Sequence, residues 1–366
     1  MTLRNLSEKP VGVIGAGNFG SAIANILSLQ TKVLLYARDP NVVAHIQQHR
    51  ENRGHIFNEQ VTATNDMAYM AKECDVLFPI VPAAHFREMM KILSPYLRPY
   101  HIMIHGTKGF DIILPEGKTL ETMKVLSREH VKTMSEVIKE ESVVVRVGCL
   151  AGPNLSKELA QRQPSATVVA SPFQEVIQIG KKLLRNDRFQ VYGNNDLTGV
   201  EIAGVLKNII AIASGALSGL GYGENAKGLL ISRGAVEMIY LGRALGGNIK
   251  AFLGLAGIGD LVTTCNSPMS RNFTVGYRLA KGETLTQILG DMHEVAEGVN
   301  TIRIVKKCAD FYKVRAPITD RLYKVLFEGM TVPEALGHLM RYPLDVDIDF
   351  IQDEANLDIR SPFNVT

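Results

Sequence analysis

Six residues near the start of the chain constrain its fold more than any others: Gly15-Ala16-Gly17-Asn18-Phe19-Gly20. They follow an apolar run at 11–14 and precede apolar residues at helical spacing, Ala22, Ile23, Ile26 and Leu27. In a strand-turn-helix unit, Gly15 makes the tight turn and Gly17 lets backbone approach a pyrophosphate. Gly20 lets the helix pack closely on the strand, and the first helical amides face the anion. The glycine pattern alone is weak. Its place in the first βαβ unit makes it a dinucleotide-binding turn.

The pattern around the turn extends that reading. Short apolar runs at 11–14, 32–36, 61–63, 75–81, 102–105 and 143–150 read as strands, with further runs at 166–170 and 189–192. They are continuous rather than alternating, which implies burial on both faces, as in a parallel sheet covered by helices. After Gly193-Asn194-Asn195 the strands stop, and helical stretches follow at 196–220, 225–246, 273–281, 292–312 and 316–328. The expected fold is therefore α/β: a Rossmann-type, mostly parallel sheet domain over 1–192, then an all-helical substrate domain over 193–366. The segment 345–366 is acidic and reads as a solvated tail or terminal strap.

Composition excludes several function classes. With 46% hydrophobic residues the chain can build a core. Lys+Arg 40 against Asp+Glu 37 leaves a net charge of +3, too little for a general field toward nucleic acid or anionic membrane. Cys74, Cys149, Cys265 and Cys308 form no C-x-x-C pair, which suggests a reducing, cytoplasmic compartment and no structural zinc. The first ten residues lack the apolar core of a secretory signal. The run at 202–220 is long enough to span a bilayer. It carries Lys207 and Asn208, has several small residues and lacks a flanking basic cluster, so a buried helix is expected rather than a membrane span.

The second strand of such a fold ends near the adenosine ribose. Here it reads Leu35-Tyr36-Ala37-Arg38-Asp39. A carboxylate at that end suits NAD, and an arginine accommodates a 2′-phosphate. Ala37 leaves the carboxylate position empty and Arg38 follows, so NADP(H) is favoured while NAD(H) stays open. Asp39 before Pro40 is either the missing acid or a helix cap.

Chemistry needs more than a cofactor turn. Lys108 follows the strand at 102–105, at whose carboxyl end ligands bind in such sheets. Lys207 sits in an otherwise apolar helical run, where a lysine must snorkel, pair or lose its proton more easily; the last suits a proton donor to a ketone. Glycines at 254, 257 and 259 form a loop that backbone and ligand can share. Asp260 can pair with a lysine, or it and Thr264 can simply cap a helix start. Arg271 suits bidentate phosphate binding, beside Ser270 and Asn272. His45 and His49 have i, i+4 spacing but no accompanying carboxylate motif, so they read as surface histidines and no metal is expected. His101 and His105 fall on one strand face and read as packing residues.

Seven blocks in order, Gly-Ala-Gly-Asn-Phe-Gly (15–20), Thr-Lys-Gly (107–109), Gly-Pro-Asn (152–154), Leu-Lys-Asn (206–208), Gly-Asp-Leu-Val-Thr-Thr-Cys (259–265), Ser-Arg-Asn (270–272) and Val-Ala-Glu-Gly (295–298), resemble the NAD(P)-dependent glycerol-3-phosphate dehydrogenases of the bacterial biosynthetic type. The resemblance implies NAD(P)H-dependent reduction of dihydroxyacetone phosphate to sn-glycerol 3-phosphate, for phospholipid synthesis in the cytoplasm, and is compatible with a homodimer. It implies Lys207 as proton donor and acceptor, Lys108 as the residue touching cofactor and substrate, and Asp260 and Thr264 as partners of the lysine. Gly152, Asn154, Ser270, Arg271 and Asn272 would line the substrate. Gly15, Gly17, Asn18, Phe19, Gly20, Arg38, Ser156, Arg271, Val295 and Glu297 would meet the cofactor.

Residues 111–142 and those beyond about 340 depart from the family pattern and leave contacts and partners open. The rival of the same architecture is a hydroxy-acid or ketopantoate-type dehydrogenase, which does not call for the blocks at 259–265 and 270–272. A rival of another class is a nucleotide sensor, which has no need of Lys108, Lys207 and Asp260.

Overall fold

The computed structural model of the chain describes residues 9–292 and 296–342. Eight strands form one sheet: β1 (Val11–Ile14), β2 (Val33–Tyr36), β3 (Val61–Thr64), β4 (Val76–Pro79), β5 (Ile102–His105), β6 (Arg146–Ala151), β7 (Ser165–Ala170) and β8 (Phe189–Asn194). Their spatial order is β8-β7-β6-β5-β4-β1-β2-β3. From β3 to β6 all neighbours are parallel, β7 runs antiparallel to β6, and β8 is parallel to β7. Continuous apolar strands such as Val-Gly-Val-Ile in β1 are buried throughout, because helices cover both faces of the sheet.

The order reverses between β1 and β4, so the loops after β1, β4 and β5 open into one crevice at the carboxyl ends of the strands. The first of these loops leads into α1 (Asn18–Leu27). The strand expected over 143–150 begins only at Arg146, since Val143 and Val145 lie outside the sheet with 54% and 57% of their surface exposed.

Beyond β8 the chain is helical. The long α2 (Leu197–Gly219), capped by Asp196 whose carboxylate accepts from the Gly199 amide at 2.9 Å, runs through the middle of this region. It is long and apolar enough to cross a bilayer, yet 94% of its most apolar window is buried inside the protein. Packed around it are α3 (Glu224–Ala244), α4 (Asp260–Asn266), α5 (Arg271–Ala280), α6 (Glu297–Tyr312), α7 (Pro317–Phe327) and α8 (Val332–Met340). The approach of α5 to α2 requires glycine. A Cβ at Gly215 would stand 1.9 Å from the Phe273 carbonyl oxygen, and one at Gly276 would stand 1.8 Å from that of Ile212. This close crossing sets where Arg271 and Asn272 emerge.

Residues 111–142 are laced to both halves of the molecule. Arg87 reaches Asp111 at 2.8 Å and Glu140 at 2.7 Å, and also pairs with Glu141. On the helical side, Arg128 Nε donates to the Leu245 carbonyl at 3.0 Å, and the Leu126 amide donates to that of Lys307 at 3.2 Å. Leu126 and Val131 lie in the helical core. The acidic tail at 345–366 falls outside the described residues.

Candidate active site

The glycine turn has the stereochemistry its spacing predicts. Gly15 has φ +117°, a backbone state that side chains rarely tolerate. A Cβ there would also lie 2.2 Å from the Ile80 carbonyl oxygen, and one at Gly20 would lie 1.8 Å from that of Gly15. At Gly17 the opposite holds: a Cβ would meet nothing within 4 Å. Gly17 is the N-cap of α1 and makes no side-chain cap bond. The open space, with helical amides behind it, fits a dinucleotide pyrophosphate. Asn52, not anticipated from the sequence, braces the turn by donating to the Ala16 carbonyl at 2.7 Å and the Ser21 hydroxyl at 3.0 Å.

Around this turn stand the other expected cofactor residues. Asn18 and Phe19 open α1, with Phe19 close to Gly106, where a Cβ would sit 3.0 Å from its ring. The helix Ser156–Ala160, which Ser156 begins, packs against α1. Arg38 is exposed just past β2. Asp39 is a cap: its carboxylate accepts from the Asn41 amide at 2.9 Å at the start of the helix Pro40–His49. Glu297 opens α6 and accepts from the Ala83 amide at 3.0 Å, which joins the helical region to the loop after β4. Burial raises the Glu297 carboxyl above its ordinary pKa, although Ala83, Arg271 and His85 act the other way. Val295 lies outside the described residues.

A cluster of charged side chains is built where α2 and α4 meet the crevice. Lys207 projects from α2 and is buried, with 6% of its surface exposed. Its Nζ donates to Asp260 Oδ1 at 3.0 Å and to Thr264 Oγ1 at 2.6 Å. Asp260 and Thr264 share one face of α4 by their i, i+4 spacing, and the Thr264 hydroxyl donates to Asp260 Oδ1 at 3.1 Å. Lys108 arrives from the loop after β5. Its Nζ reaches Asp260 Oδ2 at 2.5 Å and the Gly152 carbonyl at 3.2 Å. One carboxylate thus holds two ammonium groups, one from each half of the molecule.

This arrangement fixes the charges. Burial pushes the Lys207 pKa down to about 8; Asp260 resists the fall and the like charge of Lys108 assists it. Burial would raise the Asp260 carboxyl, but Lys108 and Lys207 outweigh it and hold the group below its ordinary value. A lysine with a pKa near neutrality and a fixed orientation is equipped to give and take a proton.

Several expected ligand residues have structural work as well. Asn272 Nδ2 donates to Asn208 Oδ1 at 2.9 Å, and its Oδ1 accepts from the Gly298 amide at 3.0 Å, which ties α2, α5 and α6 together. Asn208 was not singled out as a site residue, although it adjoins Lys207. Asn154 donates to the Ala166 carbonyl at 3.0 Å and accepts from the Thr167 hydroxyl at 2.9 Å, shaping the loop that follows Gly152. Ser270 caps α5, accepting from the Phe273 amide at 3.3 Å, and Arg271 is the first residue of that helix.

One histidine placement changes. His101 lies outside β5, and both it and His105 are hydrogen-bonded inside the protein. His101 Nε2 bonds the Ala71 carbonyl at 2.8 Å, and His105 Nε2 bonds Glu201 Oε1 at 2.9 Å. Glu201 also accepts from the amide and hydroxyl of Ser135, at 2.8 and 2.5 Å. The sequence signal for Glu201 is a lone carboxylate inside an apolar helix. His45 is half exposed and bonds Glu51 at 3.1 Å. Among the described residues no group of three or more His, Cys, Asp or Glu is arranged to hold a metal.

Known proteins bear on this geometry. The family described as NAD-dependent glycerol-3-phosphate dehydrogenase matches twice, its N-terminal part over residues 10–177 and its C-terminal part over residues 196–337. A glycerol-3-phosphate dehydrogenase (NAD(P)+) of Teredinibacter turnerae is 39% identical over 344 residues, 93% of this chain and 96% of the relative. The crystal structure of glycerol-3-phosphate dehydrogenase from Coxiella burnetii superposes with a TM-score of 0.80 at 30% identity, covering 91% of this chain and 99% of that one. A ketopantoate reductase from Ralstonia eutropha reaches a TM-score of 0.51 at 15% identity, a likeness of fold alone.

Proposed function

Since the chain belongs to the NAD-dependent glycerol-3-phosphate dehydrogenase family, we propose that it reduces dihydroxyacetone phosphate reversibly to sn-glycerol 3-phosphate with Lys207 as the proton donor and acceptor. The enzyme is an NAD(P)-dependent oxidoreductase acting on a CH–OH group. The observation that carries the role of Lys207 is its burial between Asp260 and Thr264 with a pKa of about 8.

The residues at 15–20, with Asn18, Phe19, Arg38, Ser156 and Glu297, would hold the dinucleotide, and the reduced nicotinamide, when bound, supplies the hydride to the substrate's carbonyl carbon. The chain's own residues do the rest. As the carbonyl π electrons move to oxygen, the Lys207 ammonium delivers a proton there and becomes a neutral amine. In the reverse direction that amine takes the hydroxyl proton. Lys108, fixed by the same carboxylate, stabilises the negative charge developing on the oxygen. Asp260 keeps the two cations in place while the charge changes. Arg271, at the first turn of α5, would take the substrate phosphate in two hydrogen bonds and orient the ketone. Gly152, Asn154, Ser270 and Asn272 shape the wall of that space.

NADPH is the donor this reading favours. Ala37 is buried and brings no carboxylate, Asp39 is committed to its cap, and Arg38 stands exposed at the strand end. We place the domain boundary at Gly193, near the end of β8 and just ahead of the Asp196 cap of α2. The near-neutral charge and the burial of α2 argue against a nucleic-acid partner and a membrane span; we infer a cytoplasmic enzyme that supplies phospholipid backbones, a role compatible with a homodimer.

The test is direct. NADPH and NADH oxidation by the purified protein is followed with dihydroxyacetone phosphate, beside ketopantoate as a control ketone. Turnover with the phosphate ester alone is expected, faster with NADPH, and Arg38→Ala should reduce that preference. Folded, cofactor-bound protein that turns over neither ketone defeats the substrate assignment.

A further inference from the structure

The far half of α2 floors a second concavity, away from the lysine centre. It is an apolar groove of about 910 Å³ between α3, α7 and α8, with Ile212 and Leu217 at its base and Leu322 and Leu336 on its walls. Leu229 and Met340, also on the groove, have 51% and 65% of their surface exposed. An apolar surface of this extent marks a place that something covers. Its rim is basic, formed by Arg233, Lys313, Arg315 and Arg321.

The chain itself leads into this groove. Tyr342, the last described residue, is part of its lining. The next residues in the sequence are Pro343-Leu344-Asp345-Val346-Asp347-Ile348-Asp349-Phe350-Ile351, an unbroken alternation of apolar and acidic side chains from 344 to 350. An extended segment with that alternation has one wholly apolar face and one wholly acidic face. The C-terminal family match stops at residue 337, so this stretch lies beyond the part that relatives of this enzyme share in that match.

We propose that residues 344–351 of the same chain dock along this groove as an extended strap. Leu344, Val346, Ile348 and Phe350 fill the apolar floor, and Asp345, Asp347 and Asp349 turn toward the basic rim. Position, hydropathy pattern and charge sign agree: the segment starts beside the groove, its apolar face matches the lining, and its acids match the arginines. The strap belongs to the structure of the helical half and leaves Lys207 and Asp260 untouched.

A chain ending at Tyr342 tests this. Its kinetic constants for dihydroxyacetone phosphate should stay unchanged, while its melting temperature falls and an environment-sensitive fluorescent dye binds the bared groove. A peptide of residues 343–356 added in trans should displace the dye and restore the melting temperature. Replacing its three aspartates at 345, 347 and 349 with Asn should weaken binding about tenfold and flatten its salt dependence. If the shortened chain aggregates, the full chain carrying Ile348→Ser and Phe350→Ser takes its place and should bind dye in the same way. Dye binding and melting temperature unchanged in both variants would overturn the proposal. So would sedimentation and cross-linking that place a second copy of the chain over the groove of the full-length protein.

Discussion

Two buried carboxylates flank α2 and behave in opposite ways. Asp260 and Glu237 are exposed by only 2% and 4%, and each joins one helix to its neighbours. Asp260 faces two ammonium groups, and its carboxyl is held below the ordinary range. Glu237, on α3, faces neutral donors: the amides of Ile318 and Thr319 at 2.8 and 2.9 Å and the Thr319 hydroxyl at 2.5 Å. Burial pushes its carboxyl up to about 7 in spite of all three. Glu201 lies between the two cases: burial raises it, and His105 and Ser135 more than reverse the effect. Burial alone therefore makes a carboxylate that takes up a proton. Burial with cations makes a charged centre whose partners have shifted acidity, as Lys207 has.

The most damaging break in this contrast is Lys207→Ala. It removes the proposed proton donor but leaves Lys108 to satisfy Asp260, so the fold and the cofactor turn should survive. We expect kcat to fall about 10³-fold with NADPH affinity unchanged, read by steady-state rates and fluorescence titration. A variant that keeps half its turnover would show that the buried lysine is structural.

Asp260→Asn is next in size. The shape is preserved, but the negative charge that holds the Lys207 pKa up is gone, while burial and Lys108 still push it down. Reduction needs the ammonium form, so in the parent enzyme its kcat/KM should be level below about pH 8 and fall above it. Oxidation of glycerol 3-phosphate needs the amine and should rise through the same pH. In the variant both limbs should move to lower pH, with about a 10²-fold loss of reduction at neutral pH. A limb that stays near 8 belongs to some other group.

The contrast also explains what the sequence could reveal. The turn at 15–20 was legible because sterics permit only glycine at Gly15 and Gly20, so the requirement is written in consecutive letters. The sheet was legible for a similar reason, since strands buried on both faces are mostly apolar and carry a polar residue only where it finds a partner, as His105 does. The lysine centre was not. Lys207 and Asp260 belong to different helices, and the blocks containing them were joined by resemblance rather than by spacing. Local reading of 254–264 left two options, a ligand loop and a helix start. The structure shows the helix start: α4 begins at Asp260, and the glycines before it pack so closely on the preceding backbone that a Cβ at Gly257 would stand 1.9 Å from the Phe252 carbonyl oxygen. Glu201 and Glu237 were missed because an isolated acid in an apolar helix looks alike whether it meets a cation, a hydroxyl or water. Residues 111–142 read only as a departure from the family pattern, because nothing in them announces that Leu126 and Val131 enter the helical core.

The mildest test concerns Glu237→Gln, and it isolates burial from charge pairing. In the unfolded chain the Glu237 carboxyl titrates near 4.5, and in the folded protein near 7. Between these values the folded state binds the extra proton. The stability associated with that proton is therefore fully present below pH 4.5 and is lost as pH rises through 7. Glutamine does not titrate, so the stability of the variant relative to the parent should climb across this window by up to roughly 3 kcal/mol and level off above it. Its amide can offer only one acceptor oxygen to the three donors, which lowers the whole difference curve without altering its slope. The measurement is denaturant unfolding of both proteins between pH 4.5 and 8, with dihydroxyacetone phosphate turnover as the control that Lys207 is undisturbed. A flat difference would mean that the donors from α7 hold Glu237 ionised as firmly as two lysines hold Asp260, and the distinction between the two carboxylates would fail.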